Sequence, residues 1–295
     1  MNAEHAVQPS DGAPAVALRT RRFAFDGSPA HADELIERVV PVETPVNVIY
    51  GATPFAVMMA TPGDLIDFAY GFSLTEGIIA HAAQLRQVDV EPQRDGVALH
   101  ITLAPGVDPH ALRRERNTVA RTGCGLCGID TIDAIPFTAQ RAHTRHQVRL
   151  SVVPLALNKL EARQTLNHQT HAVHGAAWFT GAGACVALRE DVGRHNALDK
   201  LIGALIRDGH EAADGLLVIT SRCSFEMVEK AAAFGASTLI AISAPTSLAV
   251  ERAALHNMTL LAIARRDSAL VFHGAEYVVD DITLGGRVPV TGVSA

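Results

Sequence analysis

Two thiols stand three residues apart in the stretch Arg121-Thr122-Gly123-Cys124-Gly125-Leu126-Cys127-Gly128. A Cys-x-x-Cys pair can hold a metal, cycle as a disulfide, or carry sulfur between molecules. A structural zinc site asks for four ligands, most often as two such pairs. No second pair exists here, because the other two cysteines, Cys185 and Cys223, are isolated. His143 and His146 are the nearest residues able to complete a Cys₂His₂ set, so zinc stays open as a minor reading. A zinc deaminase would need a His-x-Glu motif upstream and Pro before the first thiol. Gly123 stands at that point, and no His-x-Glu precedes it. A thioredoxin-like dithiol belongs at a helix start after a strand. This pair lies instead among Gly123, Gly125 and Gly128, behind Arg113, Arg114, Arg116 and Arg121. Glycines favour a flexible backbone, and the arginines favour the thiolate. A thiolate on a reaching loop suits a group carrier that takes sulfur as a persulfide and hands it on. The neighbouring thiol can then protect or resolve. Cys185, inside an apolar run, reads as a buried core thiol.

A second set of chemistry-bearing residues falls between predicted strands and helices. Residues 184–188, 215–219 and 238–242 read as strands, followed by helices over 196–206, 225–234 and 248–256. Residues 259–264 and 269–272 close the series. Alternation at this spacing is the signature of an α/β layer with a largely parallel sheet. Ligands gather at the carboxyl ends of strands in such sheets. This chain places Asp191, Gly193, Arg194, His195 and Asn196 there, then Ser221 and Arg222, then Ser243 to Ser247. Helix N-termini and arginine forks together favour a phosphate-bearing ligand. The plainer reading is that Ser224, Thr246 and Ser247 only cap helices and Gly193 only permits a tight turn. Taken as a whole, the 191–196 cluster points to function.

The first half is β-rich. Strands are expected at 39–42, 46–50 and 55–60, and a helix capped by Thr61 should run to about Leu74. A hairpin over 88–91 and 97–103 turns at Arg94-Asp95-Gly96. The first 34 residues read as a mostly flexible tail. Residues 35–140 form a small α+β domain ending in a mobile thiol loop at 108–129, and 141–295 form the α/β domain, with a helix expected over 154–166.

Bulk properties remove other classes. The chain has 295 residues and a net charge of −6, which argues against a nucleic-acid binder. No apolar run is long enough to span a membrane. Thr20-Arg21-Arg22-Phe23 echoes a twin-arginine signal, but Asp26-Gly27-Ser28-Pro29 follows in place of an apolar segment. Export is therefore not expected.

Taken in order, three motifs resemble the FdhD family of formate dehydrogenase accessory sulfurtransferases. They are the Cys-x-x-Cys stretch at 122–128, Glu190-Asp191-Val192-Gly193-Arg194-His195-Asn196-Ala197-Leu198-Asp199-Lys200, and Ser221-Arg222 with Glu226-Met227-Val228. The resemblance runs from about residue 35 to the C-terminus. It implies a cytoplasmic homodimer with a small N-terminal α+β domain and a cytidine-deaminase-like three-layer α/β/α domain. It also implies that a cysteine desulfurase supplies sulfur as a persulfide on Cys124; whether Cys127 assists as the neighbouring thiol is left open by the residues. The acceptor would be the molybdenum bis(molybdopterin guanine dinucleotide) cofactor destined for formate dehydrogenase, with no zinc. Its binding stretch would be Ile263-Ala264-Arg265-Arg266-Asp267-Ser268. Asp191, Gly193, Arg194, His195, Ser221, Arg222 and His174 would contribute. Two departures from the family pattern stand out: Thr170-His171-Ala172-Val173-His174 lacks the usual glycines, and Asp267-Ser268 replaces a common Gly-Arg. A cofactor chaperone that uses the Arg/His cluster but not the thiols remains the main rival reading.

Overall fold

The computed structural model describes residues 12–23, 25, 34–109, 146–212 and 215–282. The thiol loop, and with it Cys124, Cys127 and His143, lies outside the described residues, as does the expected domain boundary near residue 140.

The N-terminal half begins with β1 (Ala15–Arg22) paired antiparallel with β2 (Glu34–Pro41) as a two-stranded arm. The first half of this arm falls in the span expected to be a loose tail, so that expectation is corrected. Its period-2 pattern is masked by the run of Arg19, Arg21 and Arg22. Then come β3 (Thr44–Tyr50), β4 (Thr53–Ala60), α1 (Leu65–Thr75), β5 (Leu85–Gln93) and β6 (Gly96–Leu103). They build a four-stranded sheet in the order β4-β3-β6-β5. Helix α1 starts later than expected, after Asp64 in a left-handed conformation. Thr61 does not cap it; its hydroxyl accepts from the Val192 backbone N–H at 3.2 Å instead.

The C-terminal half opens with β7 (Val148–Arg149), α2 (Val152–Arg163) and α3 (Thr165–Thr170), so the single helix expected there is two. A strand absent from the sequence reading follows, β8 (His174–Thr180). Its Gly and Ala content hides it, since both residues are depleted in strands. Next come β9 (Cys185–Asp191), α4 (Arg194–Arg207), β10 (Gly215–Ile219), α5 (Phe225–Phe234), β11 (Thr238–Ala241), α6 (Ser247–Leu255), β12 (Thr259–Ala262), β13 (Leu270–His273) and β14 (Val278–Val279). Strands β8 to β13 form one six-stranded sheet in the order β13-β12-β11-β10-β8-β9, while β14 pairs with β7. Strands β10, β11 and β12 run parallel; β8 runs antiparallel to β10, and β9 antiparallel to β8.

Side chains alternate across a strand, and β10 shows what that achieves. Leu217 and Ile219 face a core shared with α1, α4 and α5, while Leu216 and Val218 face α2 on the other side. Both faces are covered, which explains why the strand reads as an unbroken apolar run. The first of these cores is continuous with Val46, Val48, Phe68 and Phe72 of the N-terminal half. The two halves are therefore fused through one interior. No described helix is long and apolar enough to cross a membrane.

Candidate cofactor-binding edge

The strand directions gather the candidate residues on one edge of the six-stranded sheet. Strand β8 begins where β9 and β10 end: His174 pairs with Asp191, and Ala176 with Ile219. The loops after β10, β11 and β12 open on the same edge. They are laced together by backbone bonds. Thr220 N–H donates to Gly175 O at 3.0 Å, Cys223 N–H to Ala244 O at 3.1 Å, and Ile263 N–H to Ser243 O at 3.2 Å.

Much of the 190–200 motif turns out to serve the protein's own architecture. The Asp191 carboxylate is fully buried. It accepts from Thr61 N–H at 2.9 Å, Gly193 N–H at 2.7 Å, Asn196 Nδ2 at 3.1 Å and Lys200 Nζ at 2.6 Å. A carboxylate has room for about four such donors, so Asp191 is saturated by the protein. Lys200, equally buried, also donates to Thr61 O at 2.8 Å. Asn196 also donates to Met59 O at 2.7 Å. Gly193 is required because a Cβ there would lie 2.7 Å from the Asn196 amide. Glu190 accepts from Leu166 and Asn167 N–H, both at 2.9 Å, capping α3. Asp199 binds Lys230 Nζ at 2.8 and 2.9 Å and accepts from the Thr75 hydroxyl at 2.7 Å. Burial works against the Lys230 ammonium, but the Asp199 and Glu76 carboxylates outweigh it and raise its pKa.

The residues left for a ligand form a smaller set. Arg194 opens α4, and its Nε is buried with no hydrogen-bond partner among the described residues. His195 beside it is buried, as is Ser221, while Arg222 is exposed. Burial lowers the pKa of His174, the Arg194 guanidinium lowers it further, and Asp191 opposes them. His174 therefore stands as a neutral imidazole near neutral pH.

The 263–268 stretch leaves β12 through a strained turn. Ile263 has φ 51°, a left-handed conformation that a β-branched residue rarely adopts. Ala264 N–H donates to Ala241 O at 3.1 Å, and Arg265 N–H to Ser268 O at 2.7 Å. The Arg265 guanidinium folds back onto the carbonyls of Ile242 and Ala264. Arg266 pairs with Glu161 of α2. The Ser268 hydroxyl donates to Asp267 at 3.1 Å. Both arginines of this stretch are thus parked on protein acceptors.

Of the hydroxyls assigned to capping, Thr246 caps α6, accepting from Ala249 N–H at 3.3 Å. Ser247 is the first residue of that helix. Ser224 precedes α5 but makes no side-chain cap, and its buried hydroxyl has no partner among the described residues. Cys185, expected as a buried core thiol, is not the more buried of the two described cysteines. Cys185 is only half-buried, whereas Cys223 is fully buried, and burial pushes its thiol up to about 12. Cys223 is consequently a core residue. No cluster of three or more metal-ligating side chains occurs among the described residues.

A buried guanidinium nitrogen lacking an acceptor, an unused hydroxyl at the α5 N-terminus, and a neutral imidazole fit a phosphate-bearing ligand. The sequence reading missed Gln164 and the partners of Lys200 and Thr61. Lys200 stands inside the quoted motif, but only the fold reveals its partner. Gln164, almost fully buried, explains Gly175, where a Cβ would lie 2.7 Å from the Gln164 amide nitrogen.

Comparison with known proteins fits this architecture. A sulfur carrier protein FdhD of Xanthomonas euvesicatoria pv. vesicatoria is 46 % identical over 237 residues, covering 80 % of this chain and 84 % of that protein. The protein of the same name from Agrobacterium fabrum is 43 % identical over 264 residues, covering 88 % and 96 %. The crystal structure of a putative formate dehydrogenase accessory protein from Desulfotalea psychrophila shares the fold. Its TM-score is 0.71 at 21 % identity, covering 90 % of this chain and all of that one. The family model described as FdhD/NarQ matches residues 41–279. On these grounds the chain belongs to the FdhD/NarQ family.

Proposed function

We propose that this chain is a cytoplasmic sulfur carrier for formate dehydrogenase. In this reading the Cys124 thiolate attacks the terminal sulfur of a persulfide on a cysteine desulfurase. The donor's S–S bond breaks, its cysteine leaves as a thiolate, and Cys124 becomes the persulfide. Cys127 assists as the neighbouring thiol. The acceptor is the molybdenum bis(molybdopterin guanine dinucleotide) cofactor, a cargo that the protein receives and passes on. His174, Arg194, His195, Ser221, Arg222 and the 263–268 stretch bind its phosphates, and Asp191 and Gly193 hold that edge in shape. The relatives' name, sulfur carrier protein, supports the general role.

The observation that carries the cargo site is the buried Nε of Arg194, without a partner among the described residues, beside a half-buried His174 on the edge where the β10, β11 and β12 loops converge. Neutral His174 can accept a proton from a thiol or persulfide brought to that edge, a role requiring a group uncharged near pH 7. Arg265 and Arg266 must exchange protein acceptors for phosphate when cargo binds.

Cys124→Ala is expected to fold normally and to lose formate dehydrogenase activation. After incubation with a desulfurase and cysteine, mass spectrometry should find one added sulfur on Cys124 of the wild type. A fully active Cys124→Ala/Cys127→Ala double variant would overturn the reading in favour of a thiol-independent chaperone.

A further inference from the structure

Gln164 occupies a capping position and does not cap. It closes α2 and stands as the N-cap residue of α3, yet its side chain makes no cap bond. The α3 N–H groups of Leu166 and Asn167 are taken by Glu190 instead, both at 2.9 Å. The Gln164 side chain turns inward. The residue is 5 % exposed, and its Nε2 has no hydrogen-bond partner among the described residues. A buried amide without a partner is costly, and native proteins hold few of them. The sheet also gives up a side chain to admit it. A Cβ on Gly175 would lie 2.7 Å from Nε2 and 3.2 Å from Cδ of Gln164. Glycine weakens a strand, so two local costs converge on one amide nitrogen that bonds no described group.

That amide lies at the candidate edge. Gly175 follows His174 at the start of β8, and its N–H donates to Thr220 Oγ1 at 2.9 Å. Side chains alternate across a strand. Gly175 therefore opens on the face of Ala177, which α2 covers, and His174 on the opposite face. The 263–268 stretch belongs to the α2 face as well. Ala264 shares a core with Ala177 and Leu160, and Arg266 pairs with Glu161, one turn before Gln164. Gln164 is thus bracketed by the strand that presents His174 and the helix turn that holds Arg266.

In the proposed function, phosphates fall to arginines. An amide differs from these in kind, because it is neutral and offers a donor beside an acceptor. Its complement is a ring edge carrying N–H beside C=O, the lactam that guanine and pterin share. We infer that Gln164 reads this lactam edge in the cargo, so that the α2 face of the edge takes the ring while the arginines take the phosphates. Nε2 is buried, so the ring gains it only as Arg266 leaves Glu161 for phosphate, one turn away. The inference rests on the cofactor reading above and adds to it the residue that selects the ring.

The test pairs calorimetric binding with thermal melting of the full chain. The variant Gln164→Met keeps an unbranched side chain and removes both amide atoms. Removing an unpaired buried amide should raise the melting temperature measured without ligand. Guanosine diphosphate carries the lactam, and adenosine diphosphate carries the same phosphates without it. Wild type is expected to prefer the guanosine form at least about tenfold. Gln164→Met should lose at least about tenfold in that affinity and keep its affinity for adenosine diphosphate, the scale of one bidentate amide–base pair. The third probe, 6-hydroxymethylpterin, separates the two sources of the lactam. Loss of guanosine diphosphate binding assigns the ring as guanine, loss of pterin binding alone assigns it as pterin, and either supports the inference. A lower melting temperature overturns it, because the amide then has a partner within the protein. Unchanged affinity for both lactam probes also overturns it. So does an equal loss for the guanosine and adenosine diphosphates, the mark of a phosphate or packing role. Those three outcomes leave the cofactor reading standing. A wild type that binds none of the three probes sinks the cofactor reading itself, and this inference with it.

Discussion

His174 shows how one side chain couples the edge to pH. Its folded pKa lies below the ordinary value of 6.5, first because burial disfavours the imidazolium and then because Arg194 repels it. Between the folded pKa and 6.5 the unfolded chain binds more protons than the folded one, so stability rises with pH across that window. The His174 contribution is full above pH 6.5 and is lost as the solution is acidified. Urea unfolding at pH 7.5 and pH 5.5 should show wild type losing more stability than His174→Gln. Equal losses would contradict the assignment. In Arg194→Gln the His174 titration, followed by NMR, should move upward, because one of the two downward pushes is gone. The sequence displayed these residues as a dense charged motif but not their partners. Asp191 meets Thr61 across 130 positions, and Thr75 meets Asp199 across 124. A motif that looks like a ligand site on paper is therefore divided by the fold. Asp191, Glu190, Asp199 and Lys200 hold architecture, and Arg194 and His174 remain for chemistry.

At the scale of elements, the crossing of α1 and α4 fixes how the two halves meet. The helices approach so closely that a Cβ on Gly71 would lie 1.7 Å from the Asp199 carbonyl oxygen, and one on Gly203 would lie 1.8 Å from that of Asp67. Glycine in a helix ordinarily costs about 1 kcal/mol relative to alanine. Gly203→Ala should therefore stabilise an exposed helix, yet here the clash with backbone wins. We expect Gly203→Ala to destabilise by about 1–3 kcal/mol or more, measured by urea unfolding; a gain in stability would mean that the helices are not so close. Helices and buried parallel strands were legible from periodicity: β10 and α5 fall where the sequence places them. Strands β1 and β8 were not, for physical reasons. The first presents arginines where alternation is sought, and the second is built from small residues because Gly175 must pass Gln164 and its strand packs between two neighbours. The thiol segment could be read as chemistry from its residue types alone, but glycine-rich sequence carries no periodicity from which a position could be derived.

At the scale of the molecule, the buried Lys200–Asp191 pair behaves as a bolt between the halves. Lys200 belongs to α4 and Asp191 ends β9, yet both bind the backbone of Thr61, which follows β4 in the N-terminal sheet. Neither charged group is exposed. Desolvating such a pair is costly, so it adds little net stability over an apolar pair of the same shape. Removing one partner is different, because it strands the other charge in the interior. Lys200→Met should cost about 3–5 kcal/mol, and the double variant Lys200→Met/Asp191→Asn should recover part of that loss, a coupling readable as a double-mutant cycle. Because one apolar core runs through both halves, the loss should fall on the whole molecule at once. Fluorescence of Trp178, the single tryptophan, senses the six-stranded sheet, while far-UV circular dichroism senses every element. The two transitions should coincide in wild type and shift together in Lys200→Met. Separate transitions would show two independently folding halves joined only by contact. Coincidence would mean that the turn presenting Arg194 is held in register by the N-terminal sheet, so that the edge carrying Arg194 and His174 exists only when both halves are folded.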